Sequence, residues 1–244
     1  MAAKKSTGFW DTIKTLIYAV LIALFIRTFA FEPFNIPSGS MIPSLLVGDY
    51  LFVSKYTYGY SRHSLPFSLP LIPGRVFGDV PKRGDVAVFK LPKDNETDYI
   101  KRIIGLPGDK VQVRRGRLYV NGDLVDRRPV APYRVRGMLG SVEQMAQYEE
   151  TLPGGIQHLI VEKNDRFILD NTEVYTVPSG HVFGMGDNRD DSQDSRVLRE
   201  VGYIPLKNMV GRAEFIFFSY DPDPLTGGSW PLTVRWSRIF HTIR

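Results

Sequence analysis

Cysteine is absent from the chain, and histidine is scarce. The absence of cysteine excludes disulfide bonds, thiolate metal sites and a cysteine nucleophile, although it does not identify the cellular compartment. Each histidine has an ordinary sequence setting, which is more typical of a structural or exposed side chain than of a catalytic base. The four histidines are His63, His158, His181 and His241. A base of another residue type is therefore favoured if this chain uses a hydroxyl nucleophile.

Strongly basic surface patterns are also missing. The formal net charge is +5, but Lys and Arg are scattered, with modest clusters only at residues 114–117 and 127–128. No basic stripe alternates with aromatic residues, so nucleic-acid binding is not favoured. The hydrophobic share of 43% is ordinary for a globular protein. It allows one large domain or a domain with an insertion.

Long apolar runs are missing except near the N-terminus, where one extends over about Phe9 to Phe34. Its uncharged centre, Thr15 to Ile26, is shorter than the ~20 residues that span a bilayer. The flanking Lys14 and Arg27 can extend their charged ends to the headgroups. A helix from about Trp10 to Phe31 is therefore long enough to cross a membrane.

The orientation and fate of this helix depend on its flanks. Lys4 and Lys5 precede it, which predicts a cytoplasmic N-terminus with the rest of the chain across the membrane. A cleaved secretory signal is the alternative, because Thr28-Phe29-Ala30 loosely resembles a cleavage site. Arg27 stands where a signal sequence should be neutral, and this favours a retained anchor.

Short apolar runs separated by glycine and proline predict a mostly β chain after the anchor. Residues 56–77 lack periodicity, and we interpret them as a long hairpin or loop whose apolar side chains can face the membrane. Asn121-Gly122 is typical of a tight hairpin turn. Predicted strands lie at residues 50–54, 86–89, 99–104, 111–113, 118–120, 173–177, 181–185 and 210–218.

The pattern weakens between about residues 123 and 165, where polar residues dominate and residues 142–150 suggest a short helix. We interpret residues 111–180 as an inserted subdomain. The C-terminal residues 230–244 either touch lipid headgroups or close on the core as a strand or helix. The expected organisation is an N-terminus and anchor at 1–31, a first core part at 32–110, the insertion at 111–180 and a second core part at 181–244.

The stretch Ile36-Pro37-Ser38-Gly39-Ser40-Met41-Ile42-Pro43 follows the anchor directly. Prolines at both ends exclude a helix interior, and Gly39 allows a tight backbone path between two serines. A serine on such a turn, with small neighbours, can attack a carbonyl. Taken alone, the same residues are explained equally well by a surface loop rich in Ser, Gly and Pro.

Lys101 lies in an apolar predicted strand. Alternation places Tyr99, Lys101 and Ile103 on one face of that strand. Burial there disfavours the ammonium form, which lowers the pKa of Lys101 and makes a neutral amine available at working pH. Arg102 cannot serve as a base because its guanidinium stays protonated. For this lysine in isolation, an ordinary side chain pointing to solvent remains the alternative.

Residues 186–196 form a charged segment, Gly-Asp-Asn-Arg-Asp-Asp-Ser-Gln-Asp-Ser-Arg. Its acidic spacing suggests calcium, but Arg189 takes a ligand position of the EF-hand template and no glycine follows. Two interpretations remain. One is a solvated loop, and the other is a network in which Ser192 orients an amine and Asp194 pairs with Arg196.

Together these segments resemble the bacterial type I signal peptidases, or leader peptidases, which are membrane proteases with a serine–lysine dyad. The resemblance covers almost the whole chain, and the matching segments follow the family's order. They are Phe31-Glu32-Pro33-Phe34 with residues 36–43, Lys82-Arg83-Gly84-Asp85-Val86, Tyr99-Ile100-Lys101-Arg102 with Gly105-Leu106-Pro107-Gly108-Asp109, Gly186-Asp187-Asn188-Arg189-Asp190 with Ser192, Asp194, Ser195 and Arg196, and Trp230-Pro231 with Ser237-Arg238-Ile239.

The resemblance implies roles for individual residues. Ser40 matches the nucleophile and Lys101 the general base. Ser38 matches the serine whose hydroxyl joins the Ser40 backbone N–H in the oxyanion hole. Ser192 matches the serine that hydrogen-bonds the lysine amine.

Further matches concern the supporting network and the substrate pockets. Asp194 and Arg196 match a supporting salt bridge. The family's apolar walls accept small substrate side chains. Their counterparts here are Phe34, Ile36, Leu45, Tyr99 and Ile100.

As a whole, the resemblance implies a signal-peptidase-like extracytoplasmic β domain with an inserted β subdomain, behind one N-terminal transmembrane helix. The expected reaction removes N-terminal signal peptides from exported preproteins at the bacterial inner (cytoplasmic) membrane, with no metal or cofactor. Expected substrates have small residues at the first and third positions before the cut, and lie extended beside Asp98–Lys101 and residues 31–36. Membrane lipid is the other expected partner.

Three points stay open. Some well-known members carry two N-terminal membrane segments, whereas this chain shows one, so its orientation rests on Lys4 and Lys5. Another serine–lysine hydrolase, such as a relative of self-cleaving repressors, and a non-enzymatic anchored adaptor are the rival classes. The oligomeric state is not indicated by the sequence.

Overall fold

The computed structural model describes residues 8–136, 142–164, 166–222 and 233–243. This part of the chain contains one α-helix, α1 from Phe9 to Phe29, and seventeen β-strands. The strands are β1 Phe31–Asn35, β2 Asp49–Ser54, β3 Tyr60–Ser61, β4 Arg75–Val76, β5 Val86–Lys90, β6 Asp98–Gly105, β7 Lys110–Arg114, β8 Arg117–Val120, β9 Asp123–Leu124, β10 Asp126–Pro129, β11 Tyr133–Arg136, β12 Val142–Leu152, β13 Ile156–Glu162, β14 Tyr175–Thr176, β15 His181–Met185, β16 Ile204–Pro205 and β17 Met209–Ser219. The prediction of a mostly β chain is confirmed.

The helix α1 has 21 residues and is apolar on all sides. At 1.5 Å per residue it is about 31 Å long, close to the hydrocarbon thickness of a bilayer. Thr28 is its one buried residue, so the protein leaves the rest of the helix surface uncovered. Among the described residues, α1 is the one helix long and apolar enough to cross a membrane. It matches the predicted helix, 10–31, to within two residues at each end.

The largest sheet has seven antiparallel strands in the order β1-β2-β17-β5-β6-β15-β16. Alternate residues of β2, β5 and β17 point inward, and Leu51, Val53, Val88 and Ile216 form much of one core. The strand β6 is paired unequally along its length. Within the described strands, residues Arg102–Gly105 pair with β15, whereas Asp98–Lys101 pair with β5 only. One edge of that first half is therefore free to accept another strand.

Two smaller four-stranded sheets are built from the chain between β6 and β15. One contains β10, β11, β12 and β13, and the other contains β7, β8, β9 and β14. The turn between β8 and β9 is the predicted Asn121-Gly122, with φ of +57° and +92°. Positive φ at both positions is typical of the tight hairpin turn, so that prediction is confirmed.

The prediction of a short helix at residues 142–150 is wrong. These residues belong to β12, which pairs with β10 and β11 along one edge and with β13 along the other. Ala, Gln and Glu in this stretch favour helix locally, but hydrogen bonding on both edges outweighs a propensity of a few tenths of a kcal/mol per residue.

The segment 56–77 contains the small hairpin of β3 and β4, in which Tyr60 pairs with Val76. Leu71 and Phe77 are strongly exposed, 72% and 86%. The hairpin prediction is confirmed. At the C-terminus, Trp230 lies outside the described residues. The chain from 233 closes onto the core through a bridge from Thr242 to Phe215 of β17 and one from Val234 to Tyr220, directly after β17. Of the two interpretations of the tail, closure on the core is confirmed for this part.

Candidate active site

The turn that follows β1 holds Ser40 at the edge of a cleft. Ile36, Met41 and Leu45 are buried on either side of the serine, with 3% exposure or less. They fix both ends of the turn in the core beneath the seven-stranded sheet. Ser38 and Ser40 line a cleft of about 740 Å³. The turn is therefore an anchored structural element rather than an isolated surface loop.

The side chains of Ser40 and Lys101 meet across this cleft. The Lys101 Nζ donates to Ser40 Oγ over 2.7 Å. Lys101 extends from the half of β6 that pairs only with β5, and it is 3% exposed. Its Nζ also lies 5.5 Å from the centre of the Tyr99 ring. The prediction that this lysine is buried beside Tyr99 is confirmed.

Burial lowers the pKa of Lys101 from the ordinary value near 10.5 to about 8. Removal of water disfavours the ammonium form, and this is the dominant cause. The carboxylates of Asp194 and Asp187 oppose the change by favouring the charged form, while the Arg196 guanidinium adds to it. At pH 7 roughly a tenth of the amine is therefore neutral, far more than for an ordinary exposed lysine.

The second serine of the turn lies close to the pair. Ser38 Oγ is 3.5 Å from Ser40 Oγ, and both side chains face the same cleft. The two hydroxyl groups therefore lie side by side in the cleft. The Ser40 backbone N–H belongs to the same turn.

The loop of residues 186–196 is folded against the turn and is largely buried. Asp194 and Arg196 form the predicted salt bridge, with Arg196 Nη2 2.8 Å from Asp194 Oδ2. Asp194 also accepts from the Gly186 backbone N–H over 3.0 Å. The neighbouring Asn188 hydrogen-bonds the turn itself, donating from its backbone N–H to the Ser40 carbonyl. The solvated-loop interpretation is wrong for this segment.

Ser192 lies in the same cleft as Ser40 and Lys101, but it does not make the hydrogen bond predicted for it. It is 7% exposed and lines the cleft, as predicted for a residue beside the lysine. Its hydroxyl nevertheless has no hydrogen-bond partner among the described residues, so the expected bond to the Lys101 amine is absent. The Lys101 Nζ is directed to Ser40 Oγ instead.

Four of the five predicted pocket residues line the cleft. The cleft walls include Phe34, Ile36, Tyr99 and Ile100. Leu45 was predicted with them, and its side chain is fully buried in the core below the cleft. It packs in the same cluster as Ile36 and Ile100, so it supports the wall without reaching its surface.

A buried network behind the loop was not predicted from the sequence. Arg102 donates to both oxygens of Asp187, over 2.8 and 2.7 Å, with both side chains almost completely buried. Burial by itself raises the pKa of Asp187, but the Arg102 guanidinium outweighs it and holds the pKa below the ordinary value. The available sequence signal is an arginine inside an otherwise apolar strand, which needs a buried partner.

The same network extends into the four-stranded sheet that contains β12 and β13. Arg189 of the loop forms a two-pronged ion pair with Glu150 of β12. His158 of β13 is buried between Glu150 and Asp187. Its Nε2 lies 3.5 Å from Glu150 Oε2 and 3.9 Å from Asp187 Oδ1. Burial is the main reason that the pKa of His158 falls to about 4, so this histidine is neutral. No sequence spacing could have linked these residues, because they are brought together only by the sheet.

Metal ligation finds no support in the geometry. No group of three or more His, Asp or Glu side chains that could hold a metal ion occurs in the described parts of the chain. The buried carboxylates of Asp187 and Asp194 instead accept hydrogen bonds from arginines, and Asp194 also accepts one from a backbone N–H.

Comparisons with known proteins identify the family. The sequence profile of the family described as signal peptidase, peptidase S26, matches residues 9–218. Signal peptidase I of Rickettsia conorii is 40% identical over 93% of this chain and 90% of its own length. The Rickettsia canadensis enzyme of the same name is 39% identical over 94% of this chain and 92% of its own length.

A solved structure was also matched. The crystal structure of a signal peptidase I from Enterococcus faecalis V583 is 24% identical, and the match covers 55% of this chain and 97% of that chain. The TM-score of this match is 0.31. The sequence matches are sufficient: by the match over residues 9–218 and by its close relatives, this chain belongs to the signal peptidase family, peptidase S26.

Proposed function

We propose that this protein is a membrane-anchored serine endopeptidase that removes N-terminal signal peptides from exported preproteins, with Ser40 as nucleophile and Lys101 as general base. The observation that carries the proposal is the 2.7 Å contact between Ser40 Oγ and the buried Lys101 Nζ. Family membership supports the peptidase activity, and the cleft supports an extended peptide substrate.

The first chemical step is acylation. The neutral amine of Lys101 takes the Ser40 proton as the hydroxyl oxygen attacks the carbonyl at the end of the signal peptide. Negative charge develops on the carbonyl oxygen, where the Ser38 hydroxyl and the Ser40 backbone N–H donate hydrogen bonds. Each such donor is worth roughly 10²–10³ in rate. Collapse of the tetrahedral intermediate expels the amine of the mature protein, which receives the proton from Lys101.

The second step is hydrolysis of the acyl-enzyme. Lys101, neutral again, removes a proton from an incoming water, and the hydroxide formed attacks the ester carbonyl of Ser40. The signal peptide leaves with a free carboxylate, and Ser40 regains its proton. Asp194 and Arg196 support this step by holding the loop against the dyad, and Ser192 lies within the same wall.

The free edges of two strands suggest how the substrate binds. β1 ends the seven-stranded sheet, and residues Asp98–Lys101 of β6 have one unpaired edge. Phe34, Tyr99 and Ile100 from these two strands line the same cleft. An extended signal peptide can add as a strand there through main-chain hydrogen bonds. Shallow apolar walls then favour small side chains at the first and third positions before the cut.

The location follows from the anchor. We assign the protein to the bacterial inner (cytoplasmic) membrane as a single-pass protein, with a cytoplasmic N-terminus and a periplasmic catalytic domain. The exposed apolar helix α1 supports membrane insertion, and Lys4 and Lys5 support the orientation. Contact with lipid follows, and no nucleic-acid partner is implied.

The test is cleavage of a purified preprotein by the detergent-solubilised chain. Wild type is expected to release the mature protein with a single new N-terminus, and Ser40→Ala is expected to be inactive while keeping the wild-type thermal unfolding temperature. Equal processing by Ser40→Ala would reject the proposed nucleophile. Absence of processing by wild type, on preproteins with small residues before the cut, would reject the proposed activity.

A further inference from the structure

Asn188 makes two hydrogen bonds to the turn that carries the nucleophile, and neither was assigned a function above. Its side-chain Nδ2 donates to the Gly39 carbonyl over 3.1 Å. Its backbone N–H donates to the Ser40 carbonyl, also over 3.1 Å. Asn188 is 3% exposed, so both bonds lie in a place that water does not reach freely.

The first of these bonds acts on the peptide group between Gly39 and Ser40. A peptide group is planar and trans, so its carbonyl and its N–H point in opposite directions. Holding the Gly39 carbonyl toward Asn188 therefore fixes the direction in which the Ser40 N–H points. A hydrogen bond accepted by a carbonyl also polarises its own peptide group and makes the N–H a better donor.

We propose that Asn188 is a positioning residue that preorganises the oxyanion hole, by fixing and polarising the Gly39–Ser40 peptide group whose N–H faces the developing oxyanion. The inference rests on the proposed function, because the Ser40 N–H is an oxyanion donor only if Ser40 is the nucleophile. It assigns Asn188 no contact with the substrate.

The surroundings of Asn188 suit such a role because they immobilise it. The Val161 N–H of β13 donates to the Asp187 carbonyl over 2.9 Å, and the Arg189 N–H donates to the Val161 carbonyl over 3.0 Å. Asn188 is thus held between two backbone hydrogen bonds that its sequence neighbours make to Val161 of β13. The ion pair between Arg189 and Glu150 of β12 adds a further attachment on the same side.

The remaining polar atom of the amide is unused. Asn188 Oδ1 is buried and has no hydrogen-bond partner among the described residues. A buried acceptor without a partner costs stability, so this asparagine is not explained by folding alone. Donation from Nδ2 to Gly39 is the one side-chain contact of that amide found in the described chain.

The test compares Asn188→Leu with wild type, Ser40→Ala and a matched control. Leucine has a similar volume, cannot donate, adds no charge near Lys101 and keeps the backbone N–H bond to Ser40. The control is Asn208→Leu. Asn208 is equally buried and donates its Nδ2 to the Lys90 carbonyl over 3.0 Å, outside the residues assigned to the cleft. The purified full-length proteins in detergent are assayed for kcat and KM on a preprotein.

Binding of two peptides separates positioning from general damage. A peptide boronic acid accepts the Ser40 oxygen on boron and becomes a tetrahedral anion, so its affinity reports the oxyanion hole. A peptide of the same sequence with an uncleavable bond reports ground-state binding. Asn188→Leu is expected to lower kcat and boronate affinity together, by roughly ten- to a hundredfold. KM and the affinity of the uncleavable peptide should change less than about threefold, and the pH midpoint of activity should not move, since Lys101 is untouched.

Each outcome decides one question. If Asn188→Leu keeps wild-type kcat and boronate affinity, or loses affinity for both peptides equally, the positioning role is overturned. If wild type fails to cleave, or Ser40→Ala cleaves as well as wild type, the proposed function fails instead. The expected result is a selective loss in Asn188→Leu with a near-normal Asn208→Leu.

Discussion

At the scale of single residues, the protonation state of Lys101 governs the proposed chemistry. Because its pKa lies near 8, activity is expected to rise with pH through about 8 and to fall about tenfold per pH unit below it. The direction follows from the base role, since the ammonium form that predominates at lower pH cannot accept the Ser40 proton. The measurement is the pH dependence of kcat/KM on a preprotein.

Substitution of the base gives a sharper form of this prediction. Lys101→Arg keeps the charge but offers no free base, so it should be inactive at every pH. Lys55→Arg is the matched control, because Lys55 is another buried lysine, paired with Glu32 at 2.8 Å. It should keep the wild-type pH midpoint. Cleavage by Lys101→Arg at a rate near that of wild type would mean that the lysine only positions other groups.

Local signals singled out Ser40 and Lys101, but only the family resemblance linked them as a proposed dyad, since each alone also fits a loop serine or a solvent-facing lysine. The Ser-Gly-Ser turn between prolines and a lysine alternating with Tyr99 and Ile103 can be recognised within a few residues. The positions of Leu45 and Ser192 were harder to predict for a different reason. Whether a leucine lines a cleft or the core beneath it, and whether an amine is directed to one hydroxyl or another, depends on packing distances that no local pattern records.

At the scale of secondary-structure elements, the hairpin of β12 and β13 carries a buried, neutral histidine. The pKa of His158 in the folded protein is about 4, below its ordinary value near 6.5, mainly because of burial. The folded protein therefore binds fewer protons than the unfolded chain between these pH values. Stability should be complete above pH 6.5 and should decrease as the pH falls toward 4, by on the order of 3 kcal/mol.

This prediction is checked by unfolding the detergent-solubilised protein at a series of pH values. His158→Gln should flatten the decrease between pH 6.5 and 4. His63, whose pKa is also lowered to about 4 mainly by burial, accounts for a second part of the slope. Below about pH 4 a further loss of stability should remain in wild type and in His158→Gln. Its cause is that Glu150, Asp187 and Asp194 have lowered pKa values in the folded protein. An unchanged slope in His158→Gln would contradict the assignment.

The mistaken helix at 142–150 shows what element-scale reasoning lacks. Strand β12 is held by partners that precede and follow it in the sequence, on both of its edges. Those partners decide its conformation, and a helical residue composition does not reveal them. The strands of the seven-stranded sheet were easier to predict, since β-branched alternation and flanking turns mark each one separately.

At the scale of the whole molecule, the absence of cysteine allows the proposed topology to be tested without background labelling. One cysteine is introduced at Ser6, before the helix, or at Ser179, an exposed turn residue of the domain. In spheroplasts, an impermeant thiol reagent should label Ser179→Cys and leave Ser6→Cys unlabelled until the membrane is disrupted. The reverse pattern would invert the orientation. A mature protein starting near Phe31 would show that the helix is a cleaved signal.

Removal of the anchor gives a second prediction at this scale. The contacts between α1 and the domain are few, and include the Tyr60 hydroxyl donating to the Phe29 carbonyl over 2.8 Å. A chain that starts at Ala30 is therefore expected to fold and to cleave short soluble peptides with kcat/KM within about threefold of the full-length value. Processing of preproteins inserted in vesicles should fall much more. Equal loss on both substrates would mean that the helix is needed for the fold.

The junction between helix and sheet has a consequence for which bond is cut. Ala30 is the single residue between α1 and β1, and it is fixed on both sides, donating to the Ile26 carbonyl and accepting from the Lys55 N–H. With α1 inserted in the membrane as proposed, the cleft is expected to stand at a set height above the bilayer surface. A preprotein still embedded by its own apolar segment can present only a bond that lies a corresponding number of residues beyond that segment. In this proposed arrangement, the fixed distance between membrane and cleft would exclude otherwise acceptable small-residue sites that lie nearer to or farther from the membrane along the same preprotein.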